Sequence, residues 1–337
     1  MNEGPVECSN LDATASAAPV SRMDPREGWV AAMRRADFAR AWEIADGVLL
    51  AHAGAPSHHL PRHEQQIWDG TPLEGRRVLV RCYHGLGDTL QCIRFVPWLT
   101  ASCPEVTVWA QAKLVPLLAT MPHQGRLIAL HDGTPDVDCD VDVELMELLH
   151  VFRVTLATLP ARVPYLHVSP AWPVPGARPR IGLVWQAGDW DQRRSIPRRL
   201  LEPLLAARGV RWVVMQPGAS RRDWGRDDGH WPAAWDLMTY ARTVRSLDLL
   251  ITIDSMPAHL AGALGVPVWT LLPADADWRW MEQREDTPWY PTMRLFRQSE
   301  PGRWEDVIAR VAQRLAGAME QRDGRFPSLH ALFRGQR

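Results

Sequence analysis

From Asp24 onward apolar residues recur at helical spacing. In "DPREGWVAAMRRADFARAWEIADGVLLAHAG", Trp29, Ala32 and Met33 share one face, and Phe38, Trp42, Ala45 and Leu49 share the next. The spacing predicts a helical hairpin with Gly54 as its stop, within a unit spanning 24–60. A lone hairpin cannot bury its own apolar face, so it must pack on the rest of the chain or on a partner. The residues before it, 1–23, are small and polar, which predicts a disordered tail; 321–337 form a second tail.

After Gly75 the pattern changes. Short apolar runs now alternate with helical stretches. Val78–Cys82 reads as a strand, Thr89–Ala101 as a helix, Val106–Ala110 as a strand, Lys113–Ala119 as a helix and Leu127–Leu130 as a strand. The aspartates of "DVDCDVDVELMELL" alternate as in a calcium loop, but glycine is missing at the sharp turn. An edge strand leading into a helix fits better. The proline-rich "SPAWPVPGARPR" closes this block. The second block predicts strands at Ile181–Trp185, Trp212–Gln216, Leu249–Ile253 and Val268–Leu272. Helices fall at Leu200–Ala207, Thr239–Ser246, Ala258–Leu264 and Trp304–Gly317. Such alternation argues an α/β protein with two doubly wound parallel sheets, over 61–172 and 173–320. Ligands of such sheets bind at the carboxyl ends of the strands, and two facing domains make a cleft.

Composition narrows the chemistry. The 46% hydrophobic content supplies full-sized cores, and a net charge of −1 gives no general attraction to nucleic acid. Arginine clusters locally, at Arg193, Arg194, Arg198 and Arg199 and at Arg221 and Arg222, which suits an anionic small molecule. The five cysteines are odd in number and lack CxxC spacing, against a disulfide framework or zinc site and in favour of a reducing compartment. His58, His59 and His63 read as loop histidines, because no carboxylate or cysteine completes a ligand set. No signal-peptide core and no run near the ~20 apolar residues of a membrane span occur. The expectation is a soluble cytoplasmic protein, or one peripheral at the inner membrane face.

Four segments carry candidate chemistry. "HGLGDTL" follows the first strand of the first block, and Gly85 and Gly87 keep its turn tight. It is neither a dinucleotide fingerprint nor a P-loop, since Leu90 takes the third glycine position and no Gly-Lys-Ser/Thr follows. Asp88 at the helix start is either a helix cap or a proton acceptor facing the cleft. In "LLITIDSMPAHLAGALGVPVWTLL", a strand ends at Asp254-Ser255 and a helix opens with Pro257 in its first turn. Its free amides make an anion site, and His259, one turn in, could donate to a phosphate. The plain alternative for His259 is a satisfied core histidine. "WQAGDWDQRRSIP" places Gly188 and two candidate diphosphate clamps, Arg193 and Arg194, on a loop after the first strand of the second block. "PADADWRWMEQREDTPWYPTMRLFRQ" gathers Trp278, Trp280, Trp289 and Tyr290 beside Asp275, Asp277 and Arg279, a mix suited to sugars and bases. Trp269 and Trp304 read as core.

Together these pieces resemble glycosyltransferase family 9, the heptosyltransferase-like group with the GT-B fold. More narrowly, the chain resembles the branch fused to tetratricopeptide repeats, with the hairpin as a remnant of such a repeat. The likeness covers about 62–317 and is carried by "GLGDTLQ" and "DSMPAHLAGALGVPVW" in that order. It implies inverting, metal-independent transfer from a nucleotide-diphosphate sugar, a co-substrate, with no bound cofactor. Asp88 matches the family's proposed base, Asp254, Ser255 and His259 its donor-diphosphate helix start, and Arg194 the basic residue before a helix-initiating proline. Gln91 and Gln216 are expected at the cleft with Gly85, Gly87 and Gly188. Asp277, Trp278 and Trp280 are expected to touch sugar or base. Met256 stands where heptosyltransferases often carry glycine, a departure that alters the close backbone approach there. The implied acceptor is a glycan, a lipid-linked molecule or a protein, and the hairpin is expected outside the cleft, free to dock a protein partner. The competing reading is a catalytically weak or inactive sugar-nucleotide-binding or scaffold protein of the same fold.

Overall fold

The computed structural model describes residues 24–52, 57, 59–172, 178–188, 191–219 and 221–320. The two tails, Gly54, His58 and residues 173–177 of the proline-rich stretch lie outside the described residues. In the first domain, strands β1 (Arg77–Arg81), β2 (Glu105–Gln111), β3 (Arg126–Leu130) and β4 (Val141–Glu144) form one parallel sheet in the order β3-β2-β1-β4. In the second, β5 (Arg180–Val184), β6 (Arg211–Val214), β7 (Leu249–Ile253), β8 (Val268–Leu272) and β9 (Met293–Arg297) form another, in the order β6-β5-β7-β8-β9. β5, β7 and β8 are buried at every residue, as central parallel strands covered on both faces must be. Each sheet reverses its strand order once, between β1 and β4 and between β5 and β7. Those switch points open crevices at the carboxyl edges, and the two edges face each other.

The acidic run forms the edge strand β4 followed by short helical turns, as its pattern suggested. Several elements differ from expectation, among them the helix over Leu200–Ala207, which is a 3-10 turn at Arg198–Leu201 followed by a short helix at Glu202–Leu205. The helix predicted over Thr89–Ala101 is split into α3 (Leu86–Cys92), a 3-10 turn at Ile93–Phe95 and a further helix at Val96–Ser102. Pro97 has no N–H to continue the α ladder, so the new helix starts where a proline is harmless. β9 was hidden in the aromatic segment, where Met293, Leu295 and Phe296 face the core as an edge strand.

The hairpin consists of α1 (Pro25–Arg34) and α2 (Phe38–His52). Its apolar face, with Ala32, Met33, Phe38, Ala41 and Trp42 all buried, packs on the rest of the chain. α1 leans on the second domain: Trp29 meets Trp278 edge-on at 5.1 Å, and the Glu282 N–H donates to Arg34 O at 3.0 Å. α2 leans on the first: Trp42 Nε1 donates to Val154 O at 2.9 Å, and Asp46 pairs with Arg153 and His150. The expectation that the hairpin stands outside the cleft is therefore corrected, because Arg34 is part of the cleft wall.

The two domains are also joined directly. Arg94 is buried at the border. It donates to Gln91 O, Pro160 O, Tyr165 Oη and, across the border, Trp289 O at 2.7 Å, with the Tyr165 and Tyr290 rings 4.7 Å away.

Candidate functional site

The facing edges enclose a cavity of about 1310 Å³. Its first-domain wall is the β1–α3 turn, with His84, Gly85, Gly87 and Asp88. Its second-domain wall is built from the loops after β5, β6, β7 and β8, with Gly188, Arg193, Arg194, Gln216, Asp254, Ser255, His259, Asp277 and Trp278. The turn and loop residues expected from sequence thus come together, although they span nearly 200 positions of the chain.

Asp88 is not the N-cap. Gly85 caps α3, and Asp88 stands at its third position. Its Oδ2 accepts from the Gly85 N–H at 2.9 Å, the return half of a capping box. Its Oδ1 is paired with Arg279 Nη2 from the second domain. Arg279 is 9% exposed and holds three anionic or polar partners at once: Asp88, Asp277 Oδ1 at 2.7 Å and Gln91 Oε1 at 2.7 Å. It also lies 4.9 Å from the Trp278 ring. The sequence reading saw Arg279 as one charge in an aromatic segment and did not find this bridge. No spacing signal could, since the pair is 191 positions apart.

Two glycines in the turn have different reasons. At Gly87 an added Cβ would come within 2.9 Å of His259 Cδ2, so the missing side chain lets α3 meet the Met256–Ala263 helix. Gly85 lets Asp88 reach back over the cap, with Oδ2 only 3.0 Å from where a Cβ would be.

On the other wall, Ser255 caps the Met256–Ala263 helix without a side-chain hydrogen bond. Pro257 has no N–H and the Ala258 N–H donates to Ser255 O at 3.0 Å, so the Met256 N–H and the positive end of the helix dipole are what the helix start offers a ligand. Arg194 Nη1 donates to Asp254 O at 3.0 Å, which ties the β5 loop to the β7 loop. Gln216 Oε1 accepts from the Trp185 and Gln186 amides at 3.1 and 2.8 Å and shapes the first turn after β5. Burial pushes the Asp254 carboxyl up to about 6, and the Asp277 charge adds to it. Burial also pushes His259 down to about 3, with the Arg279 charge acting the same way, so its ring is neutral at pH 7. His259 Nδ1 lies 3.0 Å from Tyr290 Oη, and the ring stacks on Trp280 at 5.3 Å. It is thus a positioned histidine with one nitrogen engaged in the core and an edge on the cavity.

Four expected contacts move behind the wall. Gln91 is fully buried and orients Arg279 instead of lining the cavity. Trp280 is 1% exposed and supports His259 from below. Trp289 and Tyr290 are core residues; Trp289 Nε1 donates to Arg279 O. Bulky aromatics beside a site serve as its backing here, which sequence proximity does not distinguish from contact. Trp269 and Trp304 are core, as read.

Glu144, at the carboxyl end of β4, was also missed. Burial pushes its carboxyl up to about 8, while the Met146 and Tyr83 amides donate to it. It lies 3.7 Å from His84 of the cavity wall. Among the described residues, no group of three or more His, Cys, Asp or Glu side chains gathers as metal ligands would. No described helix is long and apolar enough to cross a membrane.

The architecture has a solved counterpart. The glycosyl transferase family 9 protein of Veillonella parvula superposes with a TM-score of 0.52 at 12% identity, over 77% of this chain and 94% of that one. The fold matches that of a family 9 glycosyltransferase. ADP-heptose lipopolysaccharide heptosyltransferase II of E. coli aligns with a TM-score of 0.47 at 14% identity, over 71% of this chain and 99% of its own. In sequence, protein FlbA of Caulobacter vibrioides is 26% identical over 287 residues, covering 74% of this chain and 48% of that protein. The chain therefore spans about half the length of that relative. No protein-family model matches it.

Proposed function

We propose that the protein is a glycosyltransferase, inverting and metal-independent, that moves a sugar from a nucleotide-diphosphate donor to a hydroxyl acceptor. The observation that carries this reading is the pairing of walls in one cavity. A carboxylate, Asp88, stands on the first domain; an arginine, Arg194, an open helix start at Ser255 and a neutral histidine, His259, stand on the second. The donor diphosphate would lie on the second wall, where Arg194 and the positive end of the Met256–Ala263 helix take its charge as it departs. Those groups do the work a metal does elsewhere. The acceptor hydroxyl would approach from the first wall and pass its proton to Asp88. Attack on the far face of the anomeric carbon then inverts its configuration. Gly85 and Arg279 hold the carboxylate in one orientation, which suits a base that must meet a substrate without searching. Trp278 and Asp277 would flank the sugar or base.

In this reading the acceptor is a glycan, a lipid-linked molecule or a protein, the chain works in the cytoplasm, and the hairpin is the end of a tetratricopeptide array that can engage a protein. One observation favours a second reading, a sugar-nucleotide-binding protein without turnover: both oxygens of Asp88 are already engaged. A thermal-shift screen of nucleotide sugars, followed by transfer assays with and without chelator, separates the two. A ligand at a hundredfold over its dissociation constant adds ~2.7 kcal/mol of stability. Stabilisation with chelator-resistant transfer is expected. Stabilisation without any sugar release selects the binding protein, and a strict divalent-ion requirement refutes the metal-free mechanism.

A further inference from the structure

We propose that Arg34, carried by the N-terminal hairpin, is a donor-binding residue that joins Arg193 and Arg194 in a single site for the diphosphate, and that Asp275 acts as the internal counter-ion of that site when it is empty. The inference rests on the transferase reading of the cavity.

Three separate segments bring these groups to one wall: α1, the loop after β5 and the loop after β8. Arg34 Nη2 lies 2.7 Å from Asp275 Oδ1 and donates to Ala276 O at 3.0 Å. Asp275 Oδ2 is 3.9 Å from Arg193 Nη1. One carboxylate therefore faces two guanidinium groups across the cavity rim. The Asp275 side chain is 59% exposed and that of Arg193 is 70% exposed, so these ion pairs are screened and exchangeable. Arg34 is the better-buried partner, at 30%, and its Nε is buried with no hydrogen-bond partner among the described residues. A diphosphate offers more charge and more acceptor oxygens than one carboxylate, and a planar guanidinium fork can take two of those oxygens at once. It can take Arg34 from Asp275 and draw on Arg193 Nη1, the arm that faces Asp275 while Nε and Nη2 stay on Asp191 at 3.0 Å.

Arg34 is also held where such a role needs it. It closes α1; its carbonyl accepts from Glu282 N–H, and the preceding Ala32 and Met33 are fully buried. The contact of Trp29 with Trp278 fixes the same turn against the cavity wall. The hairpin is thereby a structural part of the ligand site.

The test is calorimetric binding to the full chain of inorganic pyrophosphate and of ADP, UDP, GDP and CDP, with adenosine as an uncharged control. Arg34→Gln keeps a donor for Ala276 O and removes the charge. Diphosphate affinity should fall about tenfold or more, the worth of one charge-assisted contact, with adenosine unaffected. Arg34→Lys should fall between wild type and Arg34→Gln. Asp275→Asn removes the competing carboxylate and should tighten diphosphate binding several-fold, a gain that misfolding cannot mimic. Wild-type affinity in Arg34→Gln, with Arg194→Gln weakened, overturns the inference and leaves the transferase reading standing. Unchanged affinity in Asp275→Asn overturns the counter-ion role. If wild type binds none of these diphosphates, both readings fall together.

Discussion

Asp88→Asn separates what the acidic group does for the fold from what it does for chemistry. Asparagine keeps the shape and can still accept from the Gly85 N–H, so the cap survives at nearly full strength. What it loses is the charge opposite Arg279. Breaking a buried ion pair costs ~3–5 kcal/mol. An exposed one is worth ~0.2–1 kcal/mol. Here the Asp88 side chain is 24% exposed and Arg279 11%, which is an intermediate case. Asp277 and Gln91 also stay on the guanidinium, so it is not left bare. We expect a loss of about 1–2 kcal/mol in urea denaturation, between those limits. The cycle with Arg279→Gln should show a coupling on the order of 1 kcal/mol. Turnover has a separate scale: removing a positioned base should slow single-turnover transfer by roughly 10²–10⁴. Strict additivity in the cycle would refute the ion pair. Near wild-type transfer would refute the base and leave Asp88 as a strut between domains.

Gly87→Ala puts a Cβ 2.9 Å from His259 Cδ2 and 3.6 Å from the Met256 backbone, so the two helices must part; a stability loss of ~1–3 kcal/mol in urea is expected. An unchanged midpoint would mean that His259 yields freely and is not held by Tyr290. For Glu144, the folded protein keeps up to pH about 8 a proton that the unfolded chain releases near its ordinary value of 4.5. The folded state therefore binds more protons through that window, and stability should fall as pH rises from 4.5 to 8. Glu144→Gln should flatten that slope in urea titrations. Part of it should remain, because Glu147 and Asp254 are raised too, to about 7 and about 6. An identical slope in the variant would place the proton elsewhere.

The sheets were legible because central parallel strands are continuous apolar runs. Leu249–Ile253 and Val268–Leu272 were bounded correctly from the pattern alone. The cavity wall was legible for the same reason, since a loop after such a strand can only emerge at the carboxyl edge. Gly188, Arg194 and Asp254 followed from that rule. What stayed hidden depends on contacts between segments far apart in the chain. Arg279 looked like any arginine among tryptophans until Asp88 was seen opposite it. Gln91 and Trp280 flank true wall residues in sequence but turn inward, a choice made by packing. Arg34 belongs to a helix whose pattern speaks only of its apolar face, and nothing in that pattern says which way its last turn points.

Arg94 has a consequence for how this border can change over time. Across it the guanidinium grips the main-chain oxygen of Trp289, and a carbonyl is the same whatever side chain it carries. The hydrogen bond thus constrains the path of the 287–290 backbone and residue 94 itself, while the Trp289 and Tyr290 rings, 5.8 and 4.7 Å from the guanidinium, add a separate demand for an aromatic face. Drift in the second domain is tolerated there as long as the loop keeps its course and those rings stay aromatic. Drift at residue 94 is costlier, because one guanidinium serves the Gln91, Pro160 and Trp289 oxygens at once. The same asymmetry would govern a chimaera: a foreign second domain could dock on this first one, provided its chain turned in the same place and kept aromatic rings at 289 and 290.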